Sequence, residues 1–424
     1  MHTPFACNSV DHFSRRSFLT GATGGALGML GFNGMVQAKA AKSLESQQKR
    51  VVVFWLSGGV SQLETWDPKP NTDNGGPFQA IPTSVPGVHI SELLPQTAQQ
   101  MHHLALVRGI NTKENNHSKG AHIMQTGHRQ TPGFQFPYLG SAFSSLLTAQ
   151  DNPLPGYISI GGGGSAKEAS FLGPANVPIT LTGTNAPKNL NLPTGLTQQA
   201  DTRRRNLREK FSKRFALGRR SADSEVYSSS YDSAASLMAQ RDLFDFSEFS
   251  AEDLARYGTH DFSKHCLMAR KLVEAGVTFT RVRHTNYDSH SENFNFHVEQ
   301  LGEFDRPFAA FVSDLADRGL LESTLVIVMC EFGRTPRINQ RLGRDHWGTA
   351  WSIALGGTGI QGGAVVGKTN ANGTKVIDRE VNGGHLFHTY YRAVGLDPTD
   401  PFYDKGRPFN KATPETSEIK EILA

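Results

Sequence analysis

Val51-Val52-Val53-Phe54-Trp55-Leu56 is an unbroken apolar run that stops at Ser57-Gly58-Gly59, the pattern of a strand buried on both faces and ended by a glycine turn. Leu104–Val107, Tyr157–Ile160, Val277–Val282, Thr324–Cys330 and Trp351–Leu355 repeat that pattern. The helical period appears between them, at Asp261–Ala275, Glu292–Arg318 and Leu386–Val394. In the second of these, Leu301, Phe304, Phe308, Phe311 and Leu315 fall at three- and four-residue steps, a core-facing stripe, and Pro307 within it predicts a kink or break. Apolar strands alternating with helices predict an α/β fold, a mostly parallel sheet with helices on both faces.

Residues 190–250 are more polar and read as a helical insertion. Positions 202–220 carry nine Lys or Arg, but Leu207, Phe211 and Phe215 recur four apart. That spacing predicts an amphipathic helix with a solvated basic face rather than a nucleic-acid surface. Charge supports this: Lys and Arg number 43 against 39 Asp and Glu, a net +4 over 424 residues, too small a balance for general polyanion binding. The three cysteines, Cys7, Cys266 and Cys330, make neither a disulfide framework nor a four-thiolate zinc site. Past the N-terminus no run approaches the ~18 apolar residues of a membrane span, so stable membrane insertion is not expected.

The first forty residues read as an address. Ser14-Arg15-Arg16-Ser17-Phe18-Leu19 is a twin-arginine motif, followed by a weakly apolar glycine-rich stretch and the small-x-small site Ala38-Lys39-Ala40. The expected partner is the twin-arginine export machinery, the expected location periplasmic or otherwise exported, and residues 41–424 form one domain carrying the insertion. Folded export favours a group inserted before crossing, and an exported protein has no nucleic-acid partner in this reading.

Gly362-Gly363-Ala364-Val365-Val366-Gly367-Lys368-Thr369 matches a phosphate-loop pattern, yet Asn370-Ala371-Asn372-Gly373 follows where a helix would have to begin. More chemistry gathers after the strands, where an open parallel sheet binds its ligands. Ser61–Lys69 follows the first strand, His284–His290 the strand near Val282, and Glu331–Pro336 the strand ending at Cys330, with Gly343–Trp347 close behind. Mixed carboxylates and imidazoles suit zinc, manganese or iron, whereas all-oxygen sites suit calcium or magnesium. A further cluster, His117 to His128, places Ser118 and His122 one helical turn apart, at a helix start suited to an anion.

Five motifs in order resemble a bacterial family of unknown function, numbered 1501: Gly58-Gly59-Val60-Ser61, Glu64–Lys69, Asp288-Ser289-His290, Glu331–Pro336 and Gly343–Trp347. That family is grouped with the alkaline phosphatase and sulfatase-like superfamily. The resemblance implies an alkaline phosphatase-like three-layer αβα sandwich and an exported, metal-dependent hydrolase of a phosphate or sulfate ester, the substrate being a small molecule or a polysaccharide. In sulfatases the nucleophile lies nine residues before the Thr of a Leu-x-Thr-Gly helix end. The matching stretch, Met124-Gln125-Thr126-Gly127, places His117 there, with Ser118 next. By resemblance, Asp67, Asp288, His290, Glu331 and His346 hold one or two divalent cations: zinc, manganese, iron or calcium. His117 or Ser118 attacks, or His117 activates water, while Arg334 holds an ester oxygen. Glu331-Phe332-Gly333 stands where the superfamily has Asp-His-Gly, so one expected imidazole is absent from that place. The competing reading is a non-catalytic metal- or ligand-binding scaffold on the same fold.

Overall fold

The structure is a computed structural model that describes residues 49–149, 152–183, 190–216, 228, 231, 234–245 and 249–424. The twin-arginine motif, the cleavage site and Cys7 lie outside the described residues.

The apolar runs become one eight-stranded sheet: β1 (Arg50–Leu56), β2 (Leu104–Ile110), β3 (Tyr157–Ile160), β4 (Ile179–Leu181), β5 (Phe279–His284), β6 (Thr324–Met329), β7 (Trp351–Gly357) and β8 (Val365–Val366), in the order β8-β2-β7-β6-β1-β5-β3-β4. All pairings are parallel except those of β7, which runs antiparallel to both β6 and β2. β1 pairs Leu56 with His284 and Trp55 with Met329, so β1, β5 and β6 end together at one edge. Because β7 is reversed, it starts at that edge, and residues 330–350 leave it and return to it as one long loop.

Helices cover both faces. Alternation along β1 and β5 points Phe54 and Phe279 to opposite sides. On the Phe54 side lie α4 (Asp261–Glu274) and α5 (Asn293–Asp317), with Phe308 at 5.0 Å and Phe311 at 5.1 Å from the Phe54 ring, both edge-on. On the other side lie α1 (His117–Thr126), α2 (Leu139–Leu147) and α6 (Gly383–Ala393), where Phe143 stacks near Phe279 and meets Tyr391. The chain is thus a three-layer α/β sandwich on a mostly parallel sheet. Helix α5 runs through Pro307 unbroken, contrary to the break its proline predicts. Its fully buried phenylalanine stripe outweighs the ~3 kcal/mol a mid-helix proline costs.

Within residues 190–250, α3 (Gln198–Ala216) forms, but Leu207 and Phe211 are 53% and 67% exposed, so the helix does not bury the stripe its spacing predicts. It turns Arg208 onto the Tyr231 ring, 4.7 Å from its centroid. The phosphate-loop sequence forms no helix: Lys368-Thr369 is a strand paired with Val376–Asp378. Cys266 and Cys330 are buried free thiols. Among the described residues no helix is long and apolar enough to cross a membrane.

Phe54 anchors the aromatic layer between sheet and helices. Phe54→Ala is expected to cost about 3–5 kcal/mol in denaturant unfolding, and a cost below about 1 kcal/mol would show that this layer repacks freely.

Candidate metal centre at the strand edge

The turn after β1 sets the floor of the site. Gly58 has φ +117°, and a Cβ there would lie 2.5 Å from the Asp288 nitrogen; at Gly59, φ +84°, it would lie 2.7 Å from the Phe332 ring. Only glycine permits both the dihedrals and the approach. The Gly58 N–H then donates to Glu331 Oε1 at 2.9 Å, tying the end of β1 to the residues after β6. Helix α1 packs as closely: a Cβ on Gly120 would lie 2.7 Å from the Glu331 carbonyl oxygen. The helix ends at Thr126 with left-handed Gly127, where the Thr-Gly resemblance places a helix end.

This packing delivers His117, first residue of α1, to two carboxylates. Its Nδ1 lies 2.7 Å from Glu331 Oε1 and its Nε2 3.2 Å from Asp288 Oδ2. His346 stands across from it, the ring centroids 4.4 Å apart. His346 Nδ1 is 2.7 Å from the Asn115 carbonyl oxygen, which can only accept, so Nδ1 carries the proton and Nε2 presents a lone pair. That Nε2 lies 3.1 Å from Asp288 Oδ1 and 2.9 Å from His290 Nε2. His290 is held in turn through Nδ1 by Asp345 at 2.8 Å. Three imidazoles, each held at Nδ1 by an acceptor, therefore turn Nε2 toward the Asp288 carboxylate.

Arg334 fixes Asp288. Its guanidinium has no exposed surface; it donates to the carbonyls of Gly58, Gly59 and Arg344 and, at 2.5 Å, to Asp288 Oδ1. Burial alone would raise the Asp288 carboxyl, but Arg334, then His346 and His117, outweigh it and hold it at about 2. The His117 imidazole is raised, chiefly by its hydrogen bond to Glu331, whereas burial lowers His346. Glu331 is buried, and its second oxygen, Oε2, has no hydrogen-bond partner.

The structure thus brings together His117, Asp288, His290, Glu331, Arg334 and His346. Ser118 is exposed in the first turn of α1, directly after His117. Asp67 is placed elsewhere: it accepts from Lys69 and Thr369, with Arg108 at 3.8 Å. Glu64 is fully buried in an ion pair with Arg344; burial would raise its carboxyl, but Arg344 and His297 keep it below the usual range. Neither acid joins the histidines. Sequence reasoning passed over the Asn115 carbonyl, the hold of Asp345 on His290, and the Arg344–Glu64 pair. An arginine immediately before Asp345-His346 was the one available signal for that pair.

His117, Asp288 and His346 each offer a donor atom, and these atoms lie within 4.8 Å of one another. Two imidazole nitrogens with a carboxylate oxygen, together with a buried unpartnered carboxylate oxygen behind them, fit a transition-metal cation better than calcium.

A mostly parallel α/β sandwich with carboxylates and imidazoles at the strand edge is the class these features define. Residues 48–423 match the family described as "Protein of unknown function (DUF1501)", and the chain belongs to that family. Comparison with curated proteins returns no match. Among solved structures it is similar to a lipoteichoic acid synthase from Listeria monocytogenes (8% identity, TM-score 0.41, covering 86% of this chain and 75% of that one). It is also similar to a sulfatase from Pseudoalteromonas sp. (13%, 0.37, 86% and 71%) and to the alkaline phosphatase of the Antarctic bacterium TAB5 (14%, 0.30, 73% and 92%).

The depressed Asp288 pKa has a consequence in metal-free protein. A carboxyl lowered from 3.8 to about 2 on folding stabilises the fold above about pH 4, and that contribution fades as the pH falls through about 2. The stability gap between the native chain and Asp288→Asn should therefore shrink between pH 4 and pH 2 in denaturation at several pH values. A gap that stays constant would rule out the Arg334–Asp288 ion pair as its source.

Proposed function

We propose that the protein is an exported, metal-dependent hydrolase of a phosphate or sulfate ester. The observation that carries this reading is the convergence of His117, His290 and His346 on Asp288, each ring held from behind at Nδ1. Outer acceptors of this kind fix the tautomer and aim of imidazole ligands. His117, Asp288 and His346, with His290 beside them, would hold one cation, and zinc, manganese or iron suits that set. Such a cation supplies Lewis acidity, polarising the ester and stabilising the leaving oxygen.

The chain's own residues do the rest. Glu331 holds His117, and Arg334 keeps Asp288 ionised and in place. With both His117 nitrogens engaged, the exposed Ser118 hydroxyl is the remaining candidate nucleophile on that turn. It sits where the free amides of a helix start favour an anionic group. The twin-arginine motif supports export: Arg15→Lys with Arg16→Lys should leave the protein in the cytoplasmic fraction, and normal export of that variant would refute the route.

Elemental analysis of the purified protein should find one or more equivalents of zinc, manganese or iron, lost in His346→Ala and Asp288→Ala. Glu331→Gln, which loosens His117, should weaken metal binding about 10- to 100-fold. Aryl phosphates and aryl sulfates should be turned over saturably by the native chain, and not by Asp288→Ala. No bound metal after reconstitution would overturn the reading, and tight metal without turnover would establish the scaffold instead.

A further inference from the structure

A cavity of about 630 Å³ opens between α1 and residues 129–138. With 3.6 residues per turn, Lys119, His122 and Ile123 face it from the side of α1 opposite His117, so it is separate from the histidine cluster. Its walls combine two kinds of surface. Phe134 and Tyr138 supply aromatic faces, and Phe134 is fixed by stacking on Phe409 at 4.1 Å and edge-on against Phe136. Gln130 and Gln135 supply planar amides; Gln135 spends its Nε2 on the Lys167 carbonyl, which leaves its Oε1 to accept.

The charge of the cavity is small and specific. Arg129 is occupied by the Glu114 carboxylate at 3.8 Å and the Thr112 carbonyl at 2.5 Å. Lys119 has no ion pair among the described residues and leaves one free positive charge. His122 is 6% exposed, kept neutral by burial, and its Nε2 has no hydrogen-bond partner.

We infer that this cavity binds a sugar ring bearing a single acidic group. Aromatic faces match the apolar face of a pyranose, the amides match its hydroxyls, and Lys119 matches one carboxylate or sulfate. A purely apolar ligand would leave Lys119 and Gln130 unpaired. An inorganic anion would use none of the aromatic wall, and a polyphosphate would bring several charges against one lysine. The site is a place to hold a saccharide, independent of whether the histidine cluster cleaves an ester.

Isothermal titration of the full chain with D-glucuronate tests this, with D-glucose and inorganic sulfate as comparisons. Glucuronate should bind with a dissociation constant on the order of millimolar. Glucose should bind about tenfold more weakly, and inorganic sulfate should not register. Lys119→Gln and Gln130→Ala, both at exposed positions, should each weaken glucuronate about tenfold while leaving the melting temperature unchanged. Asp288→Asn should bind glucuronate as the native chain does, even if it has lost every trace of metal or hydrolysis. No glucuronate binding, binding unaffected by both cavity substitutions, sulfate binding as tight as glucuronate, or loss of binding in Asp288→Asn would each overturn the inference.

Discussion

One buried cation organises the strand edge. The Arg334 guanidinium has no contact with solvent, and a charge so placed is tolerated only when it is fully paired and hydrogen-bonded. It finds its partners on three other segments: the carbonyls of Gly58 and Gly59 after β1, the Arg344 carbonyl on the returning arm of the β6–β7 loop, and the Asp288 carboxylate after β5. Those segments must therefore meet where the guanidinium lies. Arg344 makes a second tie of the same kind, bonding Glu64 and the carbonyls of Asn74, Thr335 and Pro336. Such pairs are weak evidence for stability, since desolvation offsets much of the Coulombic gain. Their effect here is positional, holding several irregular loops in one arrangement.

With the loops so held, the donors at the edge become predictable from their partners. Asp288 is ionised because Arg334 is beside it, and an ionised Asp288 gives His117 and His290 something to face. The imidazoles are then aimed from behind by Glu331, Asp345 and the Asn115 carbonyl. Aim, more than residue type, separates this cluster from His102 and His103, whose rings meet at a 45° tilt with no carboxylate shared between them among the described residues.

Much of this was legible in the sequence, and the rest was hidden for identifiable reasons. Apolar runs marked the central strands because strands covered on both faces carry no alternation to misread. The reversal of β7 left no trace in Trp351–Leu355, since strand direction has no local signature; yet that reversal brings Asp345 and His346 back to the edge. The Asn115 contact is made by a carbonyl, which every residue possesses. Asp67 stood in a conspicuous motif, but Lys69 two residues on and Thr369, distant in sequence, take both its oxygens. The stripe in α3 failed in the opposite sense: its period is genuine, but Arg208 turns to Tyr231 while Phe211 faces solvent.

The residues just after β6 close the cluster from one side and fix one of its imidazoles. The Phe332 ring lies 4.8 Å from His117 and 4.5 Å from His346, against both imidazoles. An apolar wall there excludes water from one side of the cluster and so strengthens every charge interaction within it. The neighbouring Glu331 reaches His117 on α1 while still accepting from the Gly58 N–H. Under the proposed function, this hold on His117 makes it a ligand and leaves the attack to its neighbour Ser118.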